Sequence, residues 1–197
     1  MDVNILLFPE FETLDVFGPI EVLGHIKEYS LHYFSLNGGI IKSRQNGLVV
    51  TEPIEKADEL GIILIPGGQG TRSLINDGEF IKQLEKYAAS ATYCLTVCTG
   101  SALLAKTSLL NGKKATSNKK AFAWVQGINS NVKWMRKARW IKDGKYYTSS
   151  GVSAGIDMSL GFVADQFGHT MAMDIAKSIE YLWNSDKNND PFSENGH

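Results

Sequence analysis

The run Leu60–Ile65 is apolar throughout and stops at Pro66-Gly67-Gly68. A strand with no polar alternation has no face to give to water, so it belongs inside a parallel sheet covered by helices on both sides. The surrounding sequence supplies the rest of such a sheet. Val3–Phe8, Ser30–Leu36 and Thr92–Val97 read as further strands, with short strands near Ile40–Ser43 and Leu48–Thr51 around the Gly38-Gly39 and Asn46-Gly47 turns. Helices are expected over Glu12–Ile26, Glu79–Ala89 and Gly100–Thr107. Lys114–Ser117 and Lys119–Val125 read as a short strand and helix, and Trp140–Lys142 with Lys145–Thr148 as a small β-hairpin. Two helices close the pattern. One follows an N-cap at Ser153 and runs to about Phe167; the other spans Thr170 to about Trp183, with Ile175, Ile179 and Leu182 on one side. This alternation predicts an α/β fold with a mostly parallel central sheet. With 197 residues, one domain is expected over 1–184, followed by a polar, breaker-rich tail at 185–197 read as loose.

In such sheets, sites form at the carboxyl ends of the strands, near a switch in strand order. Three segments end strands with reactive or backbone-exposing residues: Phe8–Asp15, Pro66–Gly70 and Cys98–Thr99. Cys98 runs from an apolar strand directly into a helix-forming segment, the layout of a nucleophile elbow. A helix start there predicts a lowered thiol pKa and a nucleophilic thiolate, whereas a buried structural cysteine is the simpler alternative. His25, His32, His169 and His197 lie in none of the three segments, which argues against a cysteine–histidine pair. Glu10, Glu12 and Asp15 offer carboxyls instead. A carboxyl beside a thiol in a partly buried pocket has its pKa raised and keeps a proton to donate. The plainer readings are a helix-start carboxylate for Asp15 and a solvated first-turn residue for Glu12. The amides of Gly67 and Gly68 are candidates to receive an oxyanion, or merely form a tight turn, since the segment lacks the spacing of a phosphate loop.

Twenty Lys and Arg against twenty-one Asp and Glu give a net charge of −1, which excludes a global attraction to nucleic acid or anionic membranes. The basic stretch Lys133, Arg136, Lys137, Arg139, Lys142 and Lys145 is read as the solvated face of the hairpin. No apolar run reaches the ~20 residues of a membrane span, and Asp2 stands where a leader would carry basic residues, so a cytoplasmic protein is expected. Cys94 and Cys98, four apart on a strand, would lie ~13 Å apart, beyond the ~7 Å reach of a disulfide.

The segments Ile65-Pro66-Gly67-Gly68, Val97-Cys98-Thr99-Gly100-Ser101, Leu14-Asp15-Val16-Phe17-Gly18-Pro19 and Ser150-Gly151-Val152-Ser153-Ala154-Gly155-Ile156-Asp157 together resemble the ThiJ/PfpI superfamily, with its class I glutamine amidotransferase-like fold. The pairing of Leu-Asp-x-x-Gly-Pro with Cys-Thr-Gly resembles the isonitrile-hydratase-like branch. The resemblance implies a flavodoxin-like three-layer sandwich, a homodimer, a small-molecule substrate, and no metal or organic cofactor. It implies Cys98 as nucleophile, with Asp15 and Thr99 supporting the reaction and Glu12 as the carboxyl that other branches place on the cysteine. The same module precedes DNA-binding helices in arabinose-regulator-type transcription factors, and no such helices are expected after Trp183. The chain departs from the branch at Thr116-Ser117-Asn118-Lys119, where Asn118 replaces a histidine and is a candidate substrate-binding residue. The leading expectation is a cysteine hydratase or hydrolase acting on a small carbon–nitrogen electrophile. An oxidant or electrophile sensor built on Cys98, and a glyoxalase- or deglycase-like activity, are the alternatives.

Overall fold

The computed structural model describes residues 1–194. Eight strands form one sheet: β1 (Asp2–Leu6), β2 (Ser30–Ser35), β3 (Gly39–Lys42), β4 (Leu48–Pro53), β5 (Ile62–Ile65), β6 (Tyr93–Thr96), β9 (Trp140–Asp143) and β10 (Tyr146–Ser149). A separate parallel pair joins β7 (Lys114–Ala115) to β8 (Lys133–Trp134), a strand that carries too few residues to show a period. The sheet order is β3-β4-β2-β1-β5-β6-β10-β9. Its centre is parallel, and only the outermost strands β3 and β9 run antiparallel to their neighbours. All four residues of β5 are buried, as a strand covered on both faces must be.

Helices α1 (Thr13–Leu23), α6 (Ala154–Phe167) and α7 (His169–Ser178) pack together in one layer. The other is built around α4 (Gly100–Lys106), against which α2 (Thr71–Leu74), α3 (Gly78–Ser90) and α5 (Phe122–Ile128) pack. The chain leaves β1 for β2 on one side and later returns to lay β5 on the other. That reversal of order beside β1 puts the carboxyl ends of β1, β5, β6 and β10 around one crevice.

The hairpin of β9 and β10 forms as expected, and β10 also pairs in parallel with β6, which carries the sheet outward. Three expectations need correction. The hairpin's basic stretch is not wholly a solvated face, because Arg139 is buried. Its Nε donates to Asp157 Oδ2 at 2.7 Å, and its Nη2 lies 2.6 Å from the same oxygen. Ser153 makes no side-chain cap and already has helical dihedrals. Finally, α7 stops at Ser178; Glu180 takes a positive φ of 51°, the Tyr181 amide folds back onto the Ala176 carbonyl, and Leu182 is left 94% exposed instead of stacking with Ile175.

The segment after Trp183 is docked over its described part. The Trp183 indole N–H donates to the Asp157 carbonyl at 3.1 Å, and the Asn184 amide to Asp157 Oδ1 at 2.9 Å. The Lys187 carbonyl accepts from the Arg139 amide at 2.8 Å. A polar segment with little apolar surface is thus ordered by buried charge. The remainder of the expected tail, 195–197, lies outside the described residues.

Candidate active site

Cys98 sits between β6 and α4 with φ +55°, a left-handed conformation that costs a non-glycine residue on the order of 1–3 kcal/mol. Its peptide groups hold it there. The Cys98 N–H donates to the Ser150 carbonyl at 3.0 Å, and the Cys98 carbonyl accepts from the hydroxyls of Ser101 at 3.0 Å and Ser117 at 2.9 Å. The residue is 6% exposed. Cys94 is buried in the sheet, and both thiols are free.

The three strand-end segments meet. Phe11 bridges Gly68, and the Glu12 amide donates to the Gly67 carbonyl at 2.9 Å, which fastens the loop after β1 to the loop after β5. Asp15, in the first turn of α1, points inward and is fully buried. Its Oδ2 accepts from the Gly67 amide at 2.9 Å, while Oδ1 is buried without a partner among the described residues. Burial above all, with the nearby Glu12 charge, raises the Asp15 pKa from 3.8 to about 8, against the lowering influence of the Gly67 amide and the neighbouring thiol. The carboxyl therefore keeps its proton at neutral pH. Since Oδ2 is an acceptor, the proton belongs on Oδ1. Glu12 points elsewhere: it is half-exposed at the N-cap of α1, and its Oε1 accepts from Gln45 Nε2 at 2.6 Å. The structure therefore sets Asp15, and not Glu12, against the thiol.

The glycine amides are already engaged. Gly67 N–H serves Asp15, and Gly68 N–H donates to Thr99 Oγ1 at 3.1 Å; Thr99 Oγ1 is also 3.1 Å from Thr71 Oγ1. Gly67 and Gly68 thus orient the acid and the threonine instead of offering free donors to a substrate. A Cβ on Gly67 would come within 2.5 Å of the Thr99 amide nitrogen and 2.9 Å of Asp15 Oδ2, which explains the residue type. Thr99→Val would strand the Gly68 N–H, while the Thr71 hydroxyl keeps the Gly68 carbonyl, to which it donates at 2.8 Å. We expect a loss of about 1–3 kcal/mol in stability, readable as a lowered urea midpoint with unchanged m-value.

The groups that face the sulfur and favour its ionised form are the amides of Thr99 and Val152 and the side chain of Asn118. Asn118 Oδ1 accepts from the Ala121 amide at 3.1 Å, leaving its NH2 group toward the thiol, and Gly151 leaves room for it: a Cβ there would stand 2.5 Å from Asn118 Nδ2. Val152 was not legible as a site residue. Its φ of +43° is an outlier for a β-branched side chain, and that strain aims its N–H. These donors are outweighed. Burial, joined by the Asp15 carboxylate once it ionises, pushes the Cys98 thiol well above its ordinary range, the reverse of the lowering expected from the helix start. Helix α4 has only seven residues, so its end supplies little field.

A cavity of about 450 Å³ has Asn118, Ser150, Gly151 and Val152 in its lining. Arg72, also missed, stacks on the Trp124 ring with Cζ 3.4 Å from its centroid, bridging α2 to α5. Among the described residues no cluster of three or more His, Cys, Asp or Glu side chains forms a metal-ligand set, and no helix is long and apolar enough to cross a membrane.

A family model described as DJ-1/PfpI matches residues 1–165. Among curated proteins, the chain is 30% identical over 182 residues to an isonitrile hydratase of Pseudomonas putida, covering 92% of this chain and 78% of that one. It is 27% identical to the HTH-type transcriptional regulator CdhR of Pseudomonas aeruginosa, covering 90% of this chain but 54% of the regulator. Among solved structures, a ThiJ/PfpI family protein from Pseudomonas syringae superposes with a TM-score of 0.84 at 26% identity, over 91% of this chain and 74% of that one.

Proposed function

Because the chain belongs to the DJ-1/PfpI family, whose members combine one fold with different activities, we propose from its own site that it is a cofactor-independent cysteine hydratase. The reaction converts a small isonitrile, R–N≡C, and water to the formamide R–NH–CHO. The observation that carries this reading is a buried carboxyl that keeps its proton against a buried thiol on a strained elbow.

The isonitrile carbon is attacked and protonated at the same atom, so a thiol partnered by a protonated acid suits it better than a free thiolate. Cys98 Sγ forms the S–C bond while Asp15 gives its Oδ1 proton to that carbon and takes the thiol proton in exchange. The product of this step is a thioimidate, R–N=CH–S–Cys98, with Asp15 again protonated. Water then adds to the same carbon, one of its protons going to nitrogen. The C–S bond breaks, the second proton passes to sulfur by way of Asp15, and the formamide leaves. The amides of Thr99 and Val152 and the Asn118 NH2 stabilise charge on sulfur as the bonds change. Thr99, held by Gly68 and Thr71, keeps the elbow and the acid in register.

The raised thiol pKa also ranks the alternatives. A peroxide sensor works through an accessible resting thiolate, which this environment disfavours. The regulator reading shares the fold but does not require a buried acid that holds its proton. The test is formation of an N-alkyl formamide from a simple alkyl isonitrile, followed by chromatography. Multiple turnovers are expected; none with several small isonitriles at pH 6–8 would remove the hydratase reading.

A further inference from the structure

Asp190 lies in the docked segment after α7, in a stretch with no regular element, yet it is 1% exposed. Its carboxylate is 3.9 Å from Lys119 Nζ and 3.7 Å from Arg139 Nη1, and its amide donates to the Lys137 carbonyl at 2.7 Å. Lys119 is itself anchored, donating to Thr116 Oγ1 at 2.9 Å and to the Ala138 carbonyl at 2.7 Å. Lys119 directly follows Asn118, which faces the thiol. Beyond Asp190 the chain curls about its carboxyl: the Phe192 amide donates to Asp190 Oδ1 at 2.9 Å, and the Ser193 amide to the Asp190 carbonyl at 2.9 Å. This turn fixes Phe192 in the lining of the 450 Å³ cavity, which Asn118, Lys120, Gly151 and Val152 also line. Phe192 itself stays 59% exposed, an unfavourable place for an aromatic ring unless something apolar covers it.

We propose that the segment 184–193 completes the substrate site, with Phe192 as the outer wall of a pocket for the apolar group carried by the electrophile and Asp190 as the rivet that holds it. The proposal rests on the reading of Cys98 as the reactive thiol of a hydratase. The walls set the class: a ring or branched alkyl fits between Phe192 and Val152, while its reactive carbon reaches past Asn118 to the sulfur.

The test measures Cys98 alkylation in a Cys94→Ala background by mass spectrometry, using iodoacetamide and its bulkier N-benzyl derivative. Phe192→Ala is expected to speed the benzyl reagent about fivefold or more and leave iodoacetamide within about twofold. Phe192→Trp should slow the benzyl reagent alone. Asp190→Asn, checked for folding by thermal unfolding, should reproduce the Phe192→Ala selectivity. Equal changes with both reagents, or none, would overturn the proposal. So would an altered oligomeric mass on gel filtration with unchanged selectivity, which would make Phe192 a subunit contact. Turnover of methyl and benzyl isonitriles is measured in parallel. No turnover by the wild type together with the expected alkylation shift would remove the hydratase reading and leave the pocket wall standing.

Discussion

Cys98→Ala is expected to abolish formamide production, lowering kcat by about 10⁴-fold or more, while the protein stays folded. The first expectation follows from the chemistry: no other thiol reaches the crevice, Cys94 being buried in the sheet. The second follows from what holds the elbow. Every bond that fixes residue 98 runs through its backbone, to Ser150, Ser101 and Ser117, and alanine retains all three and adopts the same positive φ at similar cost. The unfolding free energy should therefore change by about 1 kcal/mol or less. Steady-state isonitrile consumption and thermal unfolding measured on the same preparation decide it. Full activity in this variant would place the nucleophile elsewhere.

Asp15→Asn is expected to have opposite effects on rate and stability. Asparagine imitates the protonated carboxyl: its carbonyl can accept from the Gly67 amide and its NH2 can occupy the Oδ1 position, but it cannot relay a proton. The rate should fall by about 10²-fold or more. Stability moves the other way because of the raised pKa. In the unfolded chain this carboxyl releases its proton near pH 4, whereas in the native protein it does so at about 8. The stabilisation associated with the retained proton is fully present below pH 4 and is lost as pH rises through 8. The variant has no such loss. It should match the wild type near pH 4 and exceed it at pH 8.5 by a few kcal/mol, roughly a 5–10 °C higher Tm. Parallel Tm curves for the two proteins across this range would mean that Asp15 ionises normally.

Much of the scaffold is legible in the sequence because it rests on local rules. The apolar runs of β1, β5 and β6 announce a covered sheet, and the breakers after them mark the strand ends where the crevice lies. The elbow cysteine follows from position alone. What escapes the sequence is decided by partners far along the chain. The glycine amides look free until their acceptors, Asp15 and Thr99, are 52 and 31 residues away in sequence and hydrogen-bonded to them. Arg139 looks solvated until Asp157 and Asp190 bury it. Asp15 and Glu12 are separated by less than one helical turn, and only packing decides that one is dry and the other wet. The thiol pKa fails for a related reason: burial is a property of the assembled core, and it outweighs the short helix beside it.

The order of strands also governs when chemistry becomes possible during folding. The reacting groups come from the loop ends near residues 15, 67, 98, 118 and 152, so the centre exists only after contacts spanning most of the chain have closed. High contact order slows folding, and the pairing of β10 with β6 is the step that delivers the Val152 amide. A nascent chain that has not yet placed β10 carries its cysteine without a complete set of donors. The concerted chemistry proposed for the thiol and Asp15 is thereby withheld until the architecture is finished, and the onset of turnover during refolding reports long-range assembly instead of helix or hairpin formation.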